Sequence, residues 1–181
     1  MKIKYFTNSM VLLTGKNTSV MCDPWITFDA KSNTNLYNFP ESKYTKKQIA
    51  EIKPDYIYIT HTHADHFDKI TLDLFDKNTP VLCADYENNF TERNLKSFGF
   101  KNVIVCKDTF KLNSSDECNL FVADVNPEVD SFGVFKIDDL VLLNANDVIY
   151  SKNQMDEIGK NFKIDFAMIP YAYQGPYPAF Y

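Results

Sequence analysis

The sequence predicts a layered α/β (α+β) domain, and three observations lead to that fold class. Its 181 residues, of which 45% are hydrophobic, suffice to bury a core within one domain, which we expect to span residues 1–181. Apolar strand-like runs alternate with helix-like segments as far as residue 106, and three closely spaced strands follow from Cys118. Alternating elements flanked by antiparallel strands are typical of sheets layered with helices.

The N-terminal part alternates strands and helices. A glycine-containing turn is predicted at 15–17, between the first two strands. A capping box of Thr45 and Gln48 begins a short helix over 45–52, which Pro54 ends. Apolar runs and a helix-terminating glycine predict the other elements, which are strands at 2–15, 19–26, 55–60, 80–84 and 102–106 and helices at 69–75 and 91–99.

The C-terminal part is richer in strands. Asp138 and Asp139 form a predicted turn before the third of its closely spaced strands. A helix-like segment and a last apolar run complete the domain. The predicted elements are strands at 118–125, 131–137, 140–145 and 165–170 and a helix at 151–162.

The charge pattern and the N-terminus argue against several classes of protein. A net charge of -5 leaves no basic stripe, so binding to a nucleic-acid polymer has no electrostatic support. The apolar run at 10–13 has four residues, which is too short for a signal peptide or a membrane span. The four cysteines lie far apart, and we interpret them as reduced, buried thiols. We therefore expect a cytoplasmic protein that does not bind a membrane.

All three histidines of the chain, His61, His63 and His66, lie within six positions, with Asp65 among them. The cluster follows a buried strand, and open α/β sheets place their ligands at the ends of such strands. His61 and His63 are two residues apart and project to the same side of an extended chain. Asp65 and His66 reach a neighbouring point from the turn. The loop can thus supply two ligands to each of two adjacent metals, which at roughly 3.5–4 Å apart polarise an ester or amide oxygen.

Simpler interpretations of the cluster are weaker. Histidines on an ordinary polar loop would not be expected directly after a hydrophobic strand, with an aspartate at a fixed offset. A structural zinc site would favour cysteine ligands, and no cysteine lies near the cluster. Nucleophile-elbow, phosphate-loop and dinucleotide-binding motifs are absent from the sequence. Metal-dependent chemistry is therefore the interpretation that we adopt.

Four segments carry a resemblance to a known family. THTHADH at 60–66 resembles the T-H-x-H-x-D-H signature of the metallo-β-lactamase-fold hydrolases. CDPW at 22–25 resembles the D-P-W segment of the branch that contains the ascorbate-phosphate lactonases and the CMP-sialic acid hydroxylases. NANDVIY at 144–150 stands where the family carries its bridging aspartate, and YAYQGPYPAFY at 171–181 resembles a segment of bacterial relatives. The resemblance implies a metallo-β-lactamase-like αββα sandwich.

The resemblance also implies a role for individual residues. Asp147 would bridge two metals, and Asp65 would both bind a metal and orient or deprotonate the attacking water. Asp23 would support the loop without binding a metal. The implied ligands of the first and second metal, with the bridging residue last, are His61, His63, Asp65, His66 and Asp147.

The sequence departs from the family pattern at two positions. The family usually supplies two further histidines, and the chain contains neither. Asp124 stands at the strand end where the first of them belongs and is the natural substitute, with Asp130 as the second choice. The other would follow the strand at 165–170, beyond Tyr181. Aspartate ligands would shift the preference for one or two divalent transition metals from zinc toward iron or manganese.

Three interpretations of this departure remain open. The chain is a fragment that lacks its C-terminal portion, completed by a further segment or by a partner chain. It is a compact variant with fewer ligands that retains one metal. Or its site has become a binding module. An association into a homo-oligomer is compatible with each of them.

The activity implied by the resemblance is hydrolysis, by a metal-bound hydroxide, of a small anionic ester, lactone or phosphodiester related to a sugar or a nucleotide. The alternative is a non-catalytic module that binds a metal or a sugar nucleotide and pairs with another chain. Two segments bear on substrate access. The aromatic segment at 171–181 is either a stacking loop at the mouth of the site or a cover for a core edge. The polar loop at 29–44 is either a lid or a surface excursion.

Overall fold

Two β-sheets form the centre of the protein in the computed structural model, which describes residues 1–26 and 42–169. The strands of the first sheet are β1 (Lys2–Thr7), β2 (Met10–Thr14), β3 (Ser19–Cys22), β4 (Tyr56–Tyr58), β5 (Val81–Ala84) and β6 (Val103–Cys106), in the order β1-β2-β3-β4-β5-β6. The strands of the second are β7 (Phe110–Lys111), β8 (Glu117–Val122), β9 (Ser131–Ile137), β10 (Leu140–Asn144) and β11 (Phe166–Met168), in the order β11-β10-β9-β8-β7. The aromatic segment at 171–181 and most of the polar loop at 29–44 lie outside the described residues.

Helices cover the outer face of each sheet. They are α1 (Lys46–Ala50), α2 (Lys69–Leu72), α3 (Phe90–Ser97) and α4 (Lys152–Asn161). One core lies between the first sheet and the first three helices, to which Ile49, Leu72 and Leu95 belong. A second core lies between the second sheet and α4, through Ile158. A third lies between the two sheets, and the layers therefore have the predicted αββα order.

The alternation of side chains along β4 shows why the centre of the first sheet is covered on both faces. Tyr58 packs between the sheets against Phe135 of β9, with ring centroids 5.4 Å apart. Ile57 and Ile59 point the other way and join the core beneath the helices. Because successive side chains of a strand face opposite sides, an uninterrupted apolar run is what a strand with two covered faces requires.

The segment at 2–15 was predicted as one strand, and the structure divides it into a hairpin. Asn8, which has a φ of 43°, makes the turn between β1 and β2 together with Ser9. Asparagine adopts positive φ more readily than most residues, so the turn needs no glycine. The prediction of a single strand is wrong here, because the turn at Asn8 and Ser9 separates two apolar runs that are nearly continuous in the sequence.

The predicted helix and turn signals are confirmed at three places. Thr45 and Gln48 form the capping box at the start of α1. Gly99, with a φ of 92°, follows the end of α3 in the left-handed conformation that glycine adopts easily. Asp138 and Asp139, with φ of 49° and 63°, form the turn between β9 and β10.

The carboxyl ends of neighbouring parallel strands bring the candidate residues together. Strand β4 runs parallel to β3 and β5, so the residues that follow these strands meet at one edge of the sheet. Asp23 follows β3, and the histidine segment follows β4. Asp147 follows β10 of the facing sheet. Among the described residues, no helix is both long and apolar enough to cross a membrane.

Candidate metal centre

The structure brings five of the six ligands implied by the sequence to one edge of the sandwich. They lie where the ends of β4 and β10 meet, one on each sheet. The five are His61, His63, Asp65, His66 and Asp147. His61 and His66 are buried, whereas His63 is exposed and the two aspartates are partly exposed. The cluster therefore has a buried base and an open side.

Two imidazoles and one carboxylate oxygen form what we call the first subsite: His61, His63 and Oδ1 of Asp147. His61 Nε2 lies 2.9 Å from His63 Nδ1 and 3.8 Å from Asp147 Oδ1. One ligand atom from each of these residues lies within 4.8 Å of the others. Two nitrogens bound to one tetrahedral ion at about 2.0 Å are separated by roughly 3.3 Å. The donor atoms are therefore spaced closely enough to share a single ion.

The remaining donors form the second subsite: Asp65, His66 and Oδ2 of Asp147. His66 Nε2 lies 3.5 Å from Asp65 Oδ2 and 3.5 Å from Asp147 Oδ2. The two oxygens of Asp147 thus face different imidazoles, Oδ1 toward His61 and Oδ2 toward His66. A carboxylate in this orientation can bridge two ions, and the residues of both subsites fit a pair of divalent metals.

The electrostatics of the cluster also fit cation binding. Burial lowers the pKa of His66, but the carboxylates of Asp147, Asp23 and Asp65 outweigh it and raise this pKa to about 12. The bond to His66 is in turn the main reason that the pKa of Asp65 falls to about 2. Burial and the neighbouring His66 lower the pKa of His61, which favours the neutral ring that binds metals. Positive charge is thus stabilised among the carboxylates, and a metal ion would supply it in place of a proton.

Asp23 connects the two subsites on the buried side of the cluster. Its side chain is fully buried, and its backbone φ is 41°. Oδ2 lies 3.3 Å from His66 Nδ1 and accepts a bond of 2.8 Å from the hydroxyl of Thr60. That hydroxyl lies 3.0 Å from His61 Nδ1. One carboxylate therefore orients His66 directly and His61 through Thr60, as metal-binding histidines require of the residues behind them.

The turn between β1 and β2 holds the loop from the other side. The hydroxyl of Ser9 donates to the backbone carbonyl of Asp65 at 2.9 Å. The side-chain amide of Asn8 approaches both that carbonyl and Oδ2 of Asp65, each at 3.4 Å. The hairpin that sequence reasoning missed thus positions a candidate ligand.

Sequence reasoning also missed the residues that anchor Thr60. Its carbonyl accepts hydrogen bonds from the hydroxyls of Tyr86 and Ser131, and its side chain contacts Asn146. Asn146 adopts a φ of 53°, next to the candidate bridging residue Asp147. The place of Asn146 in the NANDVIY segment was the only sequence signal for these three residues, since Tyr86 and Ser131 belong to no motif.

Asp124 is the one implied ligand that the structure does not bring to the cluster. It is exposed, and its carboxylate accepts hydrogen bonds from the backbone N–H and the hydroxyl of Ser151, which begins α4. Its backbone N–H donates to Gln154. Asp130, the second choice, accepts a bond of 3.1 Å from Asn126. The geometry therefore gives no support to Asp124 as a substitute for a histidine ligand, because its side chain is engaged in capping a helix.

Substitution of Asp124 tests this placement. We expect Asp124→Ala to leave the metal affinity within about twofold of the unaltered protein, as for an exposed residue away from the site. The unfolding midpoint should fall, because Ser151 loses its partner. Metal titration and thermal unfolding of the same sample measure both effects, and a large loss of bound metal would restore Asp124 as a ligand.

Two facing sheets between helices, with a histidine–aspartate cluster at the strand ends, define a protein of the metallo-β-lactamase fold. The chain belongs to the family described as the beta-lactamase superfamily domain, whose model matches residues 2–170. It is similar to a UPF0173 metal-dependent hydrolase of Nanoarchaeum equitans, with 26% identity over 94% of this chain and 70% of the relative. Both findings agree with the resemblance of the THTHADH segment.

Solved structures share the fold. An isothiocyanate hydrolase from Delia radicum gut bacteria has a TM-score of 0.70 and 19% identity, covering 92% of this chain and 70% of that one. CmlA, a diiron beta-hydroxylase from Streptomyces venezuelae, has a TM-score of 0.66 and 17% identity, covering 91% of this chain and 33% of that one. At these identities the similarity shows the fold alone.

Other curated relatives are much longer than this chain. A protein of Mycolicibacterium smegmatis named as a Rieske 2Fe-2S iron-sulfur protein is 26% identical over 94% of this chain, which spans 34% of that relative. A Rieske centre takes two cysteines and two histidines. Here all the histidines lie in one segment that contains no cysteine. Among the residues that the structure describes, the cluster of His61, His63 and Asp147 contains no cysteine and is therefore not a Rieske ligand set.

Proposed function

We propose that the protein is a metal-dependent hydrolase that acts on a small anionic ester, lactone or phosphodiester. The observation that carries the proposal is the division of Asp147, whose two oxygens face His61 and His66 at 3.8 and 3.5 Å. Each subsite then has three protein donors. Catalytic zinc sites characteristically have three protein ligands and an open position, whereas structural sites have four. The absence of further histidines is therefore compatible with catalysis.

The charge balance supports an anionic substrate. The carboxylates of Asp23, Asp65 and Asp147 lie around His66, and two divalent ions would exceed their charge by one positive unit. His63 is exposed at the open side of the first subsite, where a substrate would enter. An anion that approaches there would meet positive charge in an otherwise acidic protein.

The metal ions and the protein residues would have different roles in hydrolysis. A divalent ion, when bound, polarises the substrate oxygen and makes water more acidic. Asp65 is held by His66, Asn8 and Ser9, and it can accept a hydrogen bond from the attacking water and orient it. The same carboxylate is also the candidate acceptor of a proton from that water.

The donor atoms also suggest which metals bind. The first subsite has two imidazoles and one carboxylate, a set that suits zinc. The second has one imidazole and two carboxylates, and its harder oxygens suit iron or manganese better. We propose that the two subsites differ in preference, and elemental analysis of the purified protein measures the composition directly.

Metal removal tests the proposal. Protein loaded with zinc, iron(II) or manganese should hydrolyse at least one of bis(p-nitrophenyl) phosphate, p-nitrophenyl acetate and γ-thiobutyrolactone. Treatment with a chelator should abolish that activity, and adding back the metal should restore it. Asp124→Ala, with its carboxylate away from the cluster, is the matched control and should behave as the unaltered protein does.

Two results would contradict the proposal in different ways. A protein that binds no transition metal at all would remove the site. A protein with both subsites filled that hydrolyses none of these substrates would instead favour the non-catalytic module.

A further inference from the structure

Thr60 occupies an unusual position for a residue that is no candidate ligand. It is fully buried between the end of β4 and the first histidine. Its backbone N–H donates to Asp23 Oδ1 at 2.8 Å, and its carbonyl accepts from Ser131 Oγ at 2.5 Å and from the hydroxyl of Tyr86. Both sheets therefore hold its backbone, and the direction of its side chain is restricted.

The hydroxyl of Thr60 has three polar neighbours, and hydrogen counting settles how it is used. Asp23 Oδ2, at 2.8 Å, can only accept as a carboxylate, so the hydroxyl hydrogen points to it. The amide nitrogen of Asn146, at 2.6 Å, can only donate to the hydroxyl oxygen. The third neighbour is His61 Nδ1, at 3.0 Å from the hydroxyl oxygen. It faces the remaining lone pair of that oxygen, so the nitrogen must donate the hydrogen of this contact. The neutral His61 ring therefore bears its proton on Nδ1.

We propose that Thr60 is a positioning residue that selects the tautomer of His61 and thereby leaves the Nε2 lone pair free for a metal ion. Nε2 is the atom that faces His63 and Asp147. The inference rests on the proposed metal site, but it does not require hydrolysis. Without the hydroxyl, the Nδ1 hydrogen would have no acceptor in a buried position, and the other tautomer would place a hydrogen where the ion binds.

His66 is positioned differently, which makes the role of Thr60 specific to one subsite. The two hydrogens of the Asn146 amide go to Asp23 Oδ2 at 2.6 Å and to Thr60. No amide hydrogen is left for His66 Nδ1, although it lies 3.1 Å from the amide nitrogen. His66 Nδ1 therefore carries its own hydrogen and donates it to Asp23 directly. Loss of the Thr60 hydroxyl should thus affect His61 first and leave the bond between His66 and Asp23 in place.

The test compares Thr60→Val, which removes the hydroxyl at nearly constant shape, with Thr60→Ser, which keeps it. In metal-free protein with ¹⁵N-labelled histidine, the couplings of the ring protons to each nitrogen report which nitrogen of His61 carries hydrogen. Only three histidines contribute to this spectrum, and His61→Ala identifies the signals of His61. Competition with a chelator for cobalt(II) or zinc measures the affinity of the first subsite.

We expect Thr60→Val to lose the Nδ1-protonated tautomer and to bind the first ion about 10–100-fold more weakly. Thr60→Ser should keep the tautomer and most of the affinity. Thr18→Val is the matched control: this buried threonine accepts from Asn113 at the other end of β3, and its loss should lower stability without changing either measurement. An unchanged tautomer in Thr60→Val, or a loss as large in Thr60→Ser, would overturn the inference. Failure of the unaltered protein to bind metal would instead refute the proposed function.

Discussion

Replacing Asp147 with alanine is expected to lower the turnover of any substrate by about 10³-fold and to reduce the bound metal. The two oxygens of Asp147 face His61 and His66, and among the described residues it is the only donor shared by the two subsites. Metal-ion catalysis supplies several kcal/mol of charge stabilisation in the transition state, and each 1.36 kcal/mol corresponds to a factor of ten in rate. Elemental analysis and steady-state kinetics on the same preparation measure the two effects together.

The design of this experiment separates catalysis from folding. The side chain of Asp147 is 37% exposed, so its truncation should leave no large cavity. Asp147→Asn provides a milder variant, because its amide oxygen can still bind one ion but the negative charge is lost. Asp124→Ala controls for the removal of an aspartate elsewhere. Full metal content together with unaltered turnover in Asp147→Ala would exclude a bridging role.

The layers and the loop of candidate metal ligands could be predicted because their signals are local. Apolar runs along β4 and β5 mark strands covered on both faces, and the candidate ligands of THTHADH are adjacent in the chain. Adjacent donors need no knowledge of the fold to be recognised. The position of Asp147 came from the resemblance, and the structure explains it by placing the end of β10 opposite the end of β4.

The remaining parts of the site depend on contacts between distant residues. Ser131 and Asn146 reach Thr60 across 71 and 86 positions of the chain. Single hydroxyls and amides are common in any sequence and carry no period, so no pattern marks them in advance. Asp124 illustrates the converse case, since it stands at a strand end where the sequence predicts a ligand, but its carboxylate accepts from Ser151 at the start of α4, 27 residues away. Contacts between residues far apart in the chain therefore decide both the surroundings of Thr60 and the position of the Asp124 side chain.

Replacing Asp23 with asparagine is expected to weaken both subsites at once. The carboxylate accepts from the backbone and hydroxyl of Thr60, from Asn146 and from His66, so all of its partners act as donors. An amide of the same size must turn its NH₂ group toward at least one of these donors. Asparagine tolerates the φ of 41° at this position, so the backbone need not change.

We expect Asp23→Asn to lower the metal affinity by about 10–100-fold at each subsite, since residues behind metal-binding histidines have effects of this size. Thr60→Val should weaken the first subsite alone, and the comparison distinguishes the carboxylate from the hydroxyl. Asp55→Asn is the matched control, because Asp55 also joins β4 to β3, through Ser19, at the opposite end of these strands. Titration with cobalt(II), followed by its absorption bands, resolves the two binding events. If Asp23→Asn binds both ions as tightly as Asp55→Asn does, the carboxylate of Asp23 does not orient the histidines. The two aspartates both join β3 to β4, but only the hydrogen bonds of Asp23 lead to His61 and His66, so the comparison tests those bonds.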